Sequence, residues 1–146
     1  MADNNNDLAG SIPATPNPKL KALDRLVGTW DVTGSFITGT AVLDWMEGGY
    51  FLVQKVDFTR DEHAIRGVEY IGFDEDTQTL RSHYMDNNGS NFTYTWEIDG
   101  DTIRIYFGDT DSDNFFEGTF SEDGKSYRGK WQWPGGGYEA TMTKRQ

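Results

Sequence analysis

The sequence predicts an all-β protein: a closed antiparallel up-and-down β-barrel of about ten strands, with a short N-terminal helix capping one end. Three observations predict it. Apolar and polar residues alternate through most of the chain, the period of a half-buried strand. Turn chemistry recurs at short intervals, at Glu47-Gly48-Gly49, Asn87-Asn88-Gly89-Ser90, Asp99-Gly100, Ser121 to Gly124 and Pro134 to Gly137. Only one stretch, Asn17 to Val27, is amphipathic at helical period. Without a crossover helix, consecutive strands pair as a meander, and closing the meander removes both exposed edges. A barrel of roughly eight to ten strands has room for side chains or one small ligand.

The elements follow in order. Residues 1–16, MADNNNDLAGSIPATP, are polar and proline-containing and read as a disordered tail ahead of one barrel domain, 17–146. Asn17 is a helix N-cap and Pro18 suits the first helical position, where a missing N–H costs nothing. Leu20, Leu23 and Val27 recur on one face with Leu26 beside them, and Gly28 fits the position just past the helix end. The helix is expected to plug one mouth of the barrel with Trp30 beneath it.

Strands then follow with period 2. Trp30, Val32, Gly34 and Phe36 share a face, as do Ala41, Leu43 and Trp45, and Tyr50, Leu52, Gln54, Val56 and Phe58. Thr59 to Glu62 reads as a loop. Strands are expected at 63–74, 79–86 and 115–120, but their alternation does not say which face points inward. Phe92, Tyr94, Trp96 and Ile98 alternate cleanly, as do Ile103, Ile105 and Phe107, and Tyr127, Gly129, Trp131 and Trp133. Tyr138, Ala140 and Met142 close the chain.

Composition narrows the function. The chain has 146 residues, 36% of them hydrophobic but 14% aromatic, and 17 glycines, which favours β structure over helix. Net charge is −11, from 13 basic and 24 acidic residues. Such a surface repels phosphate backbones and anionic lipid, so neither nucleic acid nor membrane is expected as a partner. The absence of cysteine excludes disulfides, thiolate catalysis and Cys-ligated zinc. No apolar run approaches a membrane span or a signal h-region, and a cytoplasmic monomer or homodimer is expected.

The residues just described resemble the calycin superfamily: lipocalins, fatty-acid-binding proteins and nitrobindin-like barrels. Gly28-Thr29-Trp30, a Gly-x-Trp opening strand one after a short helix, is similar to the lipocalin signature. The resemblance implies a basic residue over that Trp, here Arg145 or Lys144, by cation–π contact. The chain also resembles a bacterial lipocalin-like family of unknown function. That likeness rests on Glu47-Gly-Gly-Tyr-Phe-Leu52, Ile71-Gly-Phe-Asp74, Gly118 to Lys125 and Gly129-Lys-Trp131. Nitrobindin-like barrels bind haem through a histidine near the C-terminal end. Nothing after His83 is histidine, so haem, like any other cofactor, is not expected.

If the cleanest apolar faces point inward, the lumen is lined by Trp45, Leu52, Phe92, Tyr94, Trp96, Ile103, Ile105, Phe107, Tyr127, Trp131, Tyr138 and Met142. Small residues at Gly34, Ala41, Gly118, Gly129 and Ala140 would leave space among these rings. An aromatic wall with a few hydroxyls and amides suits a small apolar or aromatic ligand. The ligand-contacting candidates are Trp45, Gln54, Tyr84, Tyr94, Trp96, Tyr127, Trp131 and Tyr138. Gln54 stands out because an amide between Leu52 and Val56 on an apolar face is costly unless something bonds it.

Catalytic candidates are His83, Glu69 and Glu117. Histidine has a pKa of about 6.5, suited to proton transfer at neutral pH. A carboxylate within an aromatic lumen would have a raised pKa and could serve as a base. His63 follows a charged loop and is expected on the surface. Asp109 to Asp113 fails the EF-hand template, with Asn114 at the required glycine and Phe120 at the required glutamate, so no metal is expected.

Three functions compete. The first is a binding protein holding a small apolar or aromatic molecule without haem. The second is a cyclase- or isomerase-type enzyme using the lumen and one acid/base residue. The third is a side-chain-filled barrel that scaffolds protein interactions.

Overall fold

A computed structural model describes residues 15–146; the expected tail at 1–16 lies almost wholly outside them. A 3-10 helix, Pro18–Leu26, is followed by ten strands: β1 (Gly28–Gly34), β2 (Thr38–Trp45), β3 (Leu52–Arg60), β4 (His63–Asp74), β5 (Thr79–Asp86), β6 (Asn91–Asp99), β7 (Thr102–Phe107), β8 (Phe115–Phe120), β9 (Ser126–Trp133) and β10 (Gly136–Lys144). Every strand pairs antiparallel with its chain neighbours, and β1 also pairs with β10. The barrel is therefore closed, and no edge remains to recruit another chain.

The helix is tighter than an α-helix, and the leucine spacing explains it. Leu20, Leu23 and Leu26 recur every three residues, so a three-residue turn eclipses all three on one line, and all three are buried. Asn17 Oδ1 accepts from the Lys19 N–H at 2.9 Å and Pro18 takes the first turn. Val27 is already extended, and Gly28, with φ +139°, is the first residue of β1 rather than a left-handed helix cap. Gly28 has a packing reason as well. A Cβ there would stand 3.3 Å from the Lys144 side chain.

Several contacts fasten the helix over the barrel end that carries the β2–β3, β4–β5, β6–β7 and β8–β9 connections. The Arg25 guanidinium donates to the Gly100 carbonyl at 2.8 Å, pairs with Asp101 and lies 3.7 Å over the Phe120 ring. Trp45 Nε1 donates to Asp24 Oδ1 at 2.9 Å. Trp30 Nε1 donates to the Leu26 carbonyl at 2.8 Å, which ties the strand-one tryptophan to the helix above it.

The basic residue over Trp30 is Lys144, whose Nζ stands 5.0 Å from the ring and donates to the Arg25 carbonyl. Arg145 is not that residue: alternation sends it to the outer face, where it pairs with Asp31 at 2.7 Å. Lys144→Met is therefore expected to cost about 1 kcal/mol in urea unfolding, and Arg145→Met, at a solvent-screened surface pair, clearly less than Lys144→Met. The reverse order would reassign the signature to Arg145.

The Thr59–Glu62 loop shrinks to a two-residue turn. β3 runs to Arg60, and Asp61 and Glu62 both adopt left-handed φ values, 49° and 68°. That geometry matches strand twist at a tight hairpin, and it overrides the polar composition that suggested a loop. It also fixes the β3–β4 register, with Arg60 opposite His63 and Gln54 opposite Glu69.

That register, carried through β5 and β6, decides the faces the alternation left open. Glu69 lies opposite Tyr84 and Ser82 opposite Tyr94, all inward. His83 consequently faces out; it is exposed and bonded to Asn91 on the neighbouring strand. Glu117 is also exposed, and pairs with Arg104 at 2.6 Å on the outer surface. Neither can act in the lumen.

Candidate functional site

The barrel interior divides into a solid end and a hollow end. Beneath the helix, Leu52, Ile71, Leu80, Ile103 and Phe120 fill the cross-section together with Leu20, Leu23 and Leu26. Trp45 belongs to this end, where its indole is held by Asp24, and it does not line the hollow. Leu52 and Ile103 are likewise inward-facing but lie outside the cavity wall.

Above this floor lies a cavity of about 1010 Å³. Its wall includes Gln54, Tyr84, Tyr94, Trp96, Tyr127, Trp131 and Tyr138, that is, every expected ligand-contacting residue except Trp45, and of the three catalytic candidates it includes Glu69. Phe92, Ile105, Phe107 and Met142 line it too. The mouth, ringed by the β1–β2, β3–β4, β5–β6, β7–β8 and β9–β10 connections, carries Phe36, Arg60, Asp61, His63, Asn88 and Asn114. His63 is thus exposed but on the rim of the cavity.

Phe116 was hidden from sequence reasoning by the ambiguous alternation of β8. Its ring passes over the paired Gly118 and Gly129, where an added Cβ would stand 2.8 Å and 2.7 Å from it. These two glycines therefore seat an aromatic ring rather than leaving free space. Gly34 is likewise taken up by backbone, with the Glu139 carbonyl 2.6 Å from where its Cβ would be. Ala41 and Ala140 do border the cavity. Phe116 in turn meets Trp131 at 5.6 Å and Tyr127 at 6.3 Å, and Tyr127 stands edge-on to Trp30 at 5.2 Å. The rings brace one another, which holds the wall open in a defined shape.

In this wall sits one buried carboxylate. Glu69 is 6% exposed, accepts from Gln54 Nε2 at 2.9 Å on one oxygen and from Ser82 Oγ at 2.5 Å on the other. Ser82 in turn accepts from Trp96 Nε1 at 2.9 Å. Gln54 and Ser82 donate to the carboxylate, and Trp96 supports the Ser82 hydroxyl behind it, an arrangement that favours the ionised form. Burial opposes them and prevails, so the Glu69 pKa rises to about 7. Gln54 thus has its partner, across one strand pair. Ser82 was missed in the sequence because a lone serine carries no signal until its neighbour is known.

The tyrosines around Glu69 stay neutral. Burial pushes Tyr84, Tyr94 and Tyr127 well above the ordinary phenol range, and the nearby Glu69 charge pushes each in the same direction. Burial also raises Tyr138, against the opposing pull of Arg60. Tyr84 donates its hydroxyl proton to Asp86 at 2.8 Å. Chemically, the lumen offers aromatic surface, neutral hydroxyls and one carboxyl that exchanges a proton near neutrality.

Among the described residues, no cluster of three or more His, Asp or Glu side chains is placed to hold a metal ion. Also among them, no helix is long and apolar enough to cross a membrane. A comparison with curated proteins returns no match. A family model does match, over residues 15–133, and it spans both the helix and nearly all of the barrel. The chain belongs to the family described as protein of unknown function (DUF1579).

Proposed function

We propose that this barrel is lipocalin-like in function and binds one small apolar or aromatic molecule in its lumen, without haem. The observation that carries the reading is the cavity of about 1010 Å³, walled by aromatic rings, stopped by the helix at one end and open at the other. Sites for small molecules fall in the range of roughly 300–1,000 Å³ and combine an apolar lining with a few polar groups. Glu69, Gln54 and the tyrosine hydroxyls are those groups here. A barrel serving only as a scaffold has no use for such a hollow.

The test is a fluorescence titration with Nile red, a neutral apolar dye, alongside native mass spectrometry of freshly purified protein. Saturable one-to-one enhancement of the dye, or a co-purified small molecule, is the expected result. Absence of both would sink the binding reading.

A second reading has one specific observation behind it: a lumen carboxyl with a pKa of about 7. Such a group can both take and give a proton at neutral pH, as an isomerase or cyclase requires. The Glu69→Gln variant separates the two readings. A binding protein keeps its affinity for neutral ligands in that variant, whereas an enzyme loses turnover.

A further inference from the structure

We propose that the ligand carries a protonated amine, and that this ammonium docks on the Glu69 carboxylate deep in the aromatic lumen. The inference rests on the binding reading above and names the chemical class that would occupy the cavity.

Three observations point to a cation. First, Glu69 is the anion of the inner wall, and both of its oxygens are already oriented by Gln54 and Ser82. Each carboxylate oxygen has a second lone pair, so a further donor can be accommodated without breaking the existing bonds. Second, the surrounding surface is rich in aromatic rings: Tyr94, Trp96 and Trp131 line the same cavity, and aromatic faces attract ammonium groups. Third, among the described residues no lysine lines the cavity, and the one arginine that does, Arg60, is at the rim with its guanidinium stacked 3.8 Å over the Phe36 ring. A ligand carboxylate at depth would meet Glu69 with no cation to offset it.

The wider field agrees. The chain carries a net charge of −11, and Asp61 and Asp86 also border the cavity. An acidic cleft concentrates cations and repels anions. A buried ion pair costs desolvation on both sides, and the hydrogen bonds that orient Glu69, with the aromatic rings lining the same cavity, offset that cost.

The experiment uses the full chain and three ligands of one skeleton: naphthylethylamine, naphthylethanol and naphthylpropionate. Each is titrated by displacement of Nile red at about pH 8, where Glu69 is ionised and the amine protonated. The amine is expected to bind about tenfold or more tighter than the alcohol, with the carboxylate weakest, as differential pairing with one buried charge requires. In Glu69→Gln the amine should lose that advantage while the alcohol keeps its affinity, which also shows that the variant is folded.

Equal affinity of amine and alcohol in the parent protein would overturn the inference. So would an amine advantage that survives Glu69→Gln, or failure of all three to displace a dye that itself binds. Failure of Nile red to bind in the first place would instead remove the binding reading beneath it.

Discussion

Glu69→Gln is expected to gain stability relative to the parent as pH rises, by about 3 kcal/mol between about pH 4.5 and about pH 8. The Glu69 carboxyl titrates near 4.5 in an unfolded chain and at about 7 in the barrel. Between those values the folded state holds a proton that the unfolded state has released. Raising the pH therefore favours unfolding: the contribution is fully present below pH 4.5, drains away through pH 7 and is absent above it. Glutamine has no proton to lose, so the variant does not share this loss. Whatever the substitution costs in contacts to Gln54 and Ser82 is the same at every pH and cancels from the slope. Urea unfolding of both proteins across the pH range measures it. Parallel stability curves for parent and variant would show that Glu69 is not buried as described.

Trp30→Ala is expected to remove about 3–5 kcal/mol, the usual cost of emptying a large aromatic site. The ring is 1% exposed, and its N–H is the donor to the Leu26 carbonyl. Its loss would leave that buried carbonyl without a partner and take the ring from beneath Lys144 and beside Tyr127. The damage should reach the plug. Amide exchange across Pro18–Leu26 should accelerate well beyond that of β5 and β6, because the helix loses its tie to β1. Trp30→Phe keeps a ring but not the N–H, and is expected to cost about 1–3 kcal/mol, close to an unsatisfied buried acceptor. A loss under about 1 kcal/mol for Trp30→Ala would mean that the tryptophan is a passenger under the helix.

The clean alternations were legible because one face of each of those strands is buried, and a period-2 pattern then names the inward residues. Tyr94, Trp96, Tyr127, Trp131 and Tyr138 came out on the cavity wall in this way. Where both faces of a strand are mixed, the pattern loses its sign. β4 and β5 carry charged and apolar residues on both faces, β8 has a phenylalanine on each, and in isolation neither face is marked as the inner one. Gln54 held the missing signal. Counting six residues out on each side of the Arg60–His63 pair places Glu69 opposite it, so a two-residue turn at Asp61-Glu62 is enough to find the carboxylate. That turn was obscured because neither residue is glycine or asparagine, although both take positive φ. The same shift in register sends His83 outward.

Charge, lack of cysteine, the strand rhythm and the order of helix before barrel are properties of residue type and spacing, and the chain alone determined them. Tertiary structure decided three further things: that Lys144 rather than Arg145 covers Trp30, that the floor of the barrel is solid while its upper half is hollow, and that, among the acidic side chains of the described residues, Glu69 is the one taken out of water. Each depends on which strand lies beside which and on how large rings stack across the lumen. Those are relations between residues far apart in the chain, and local periodicity alone does not fix them.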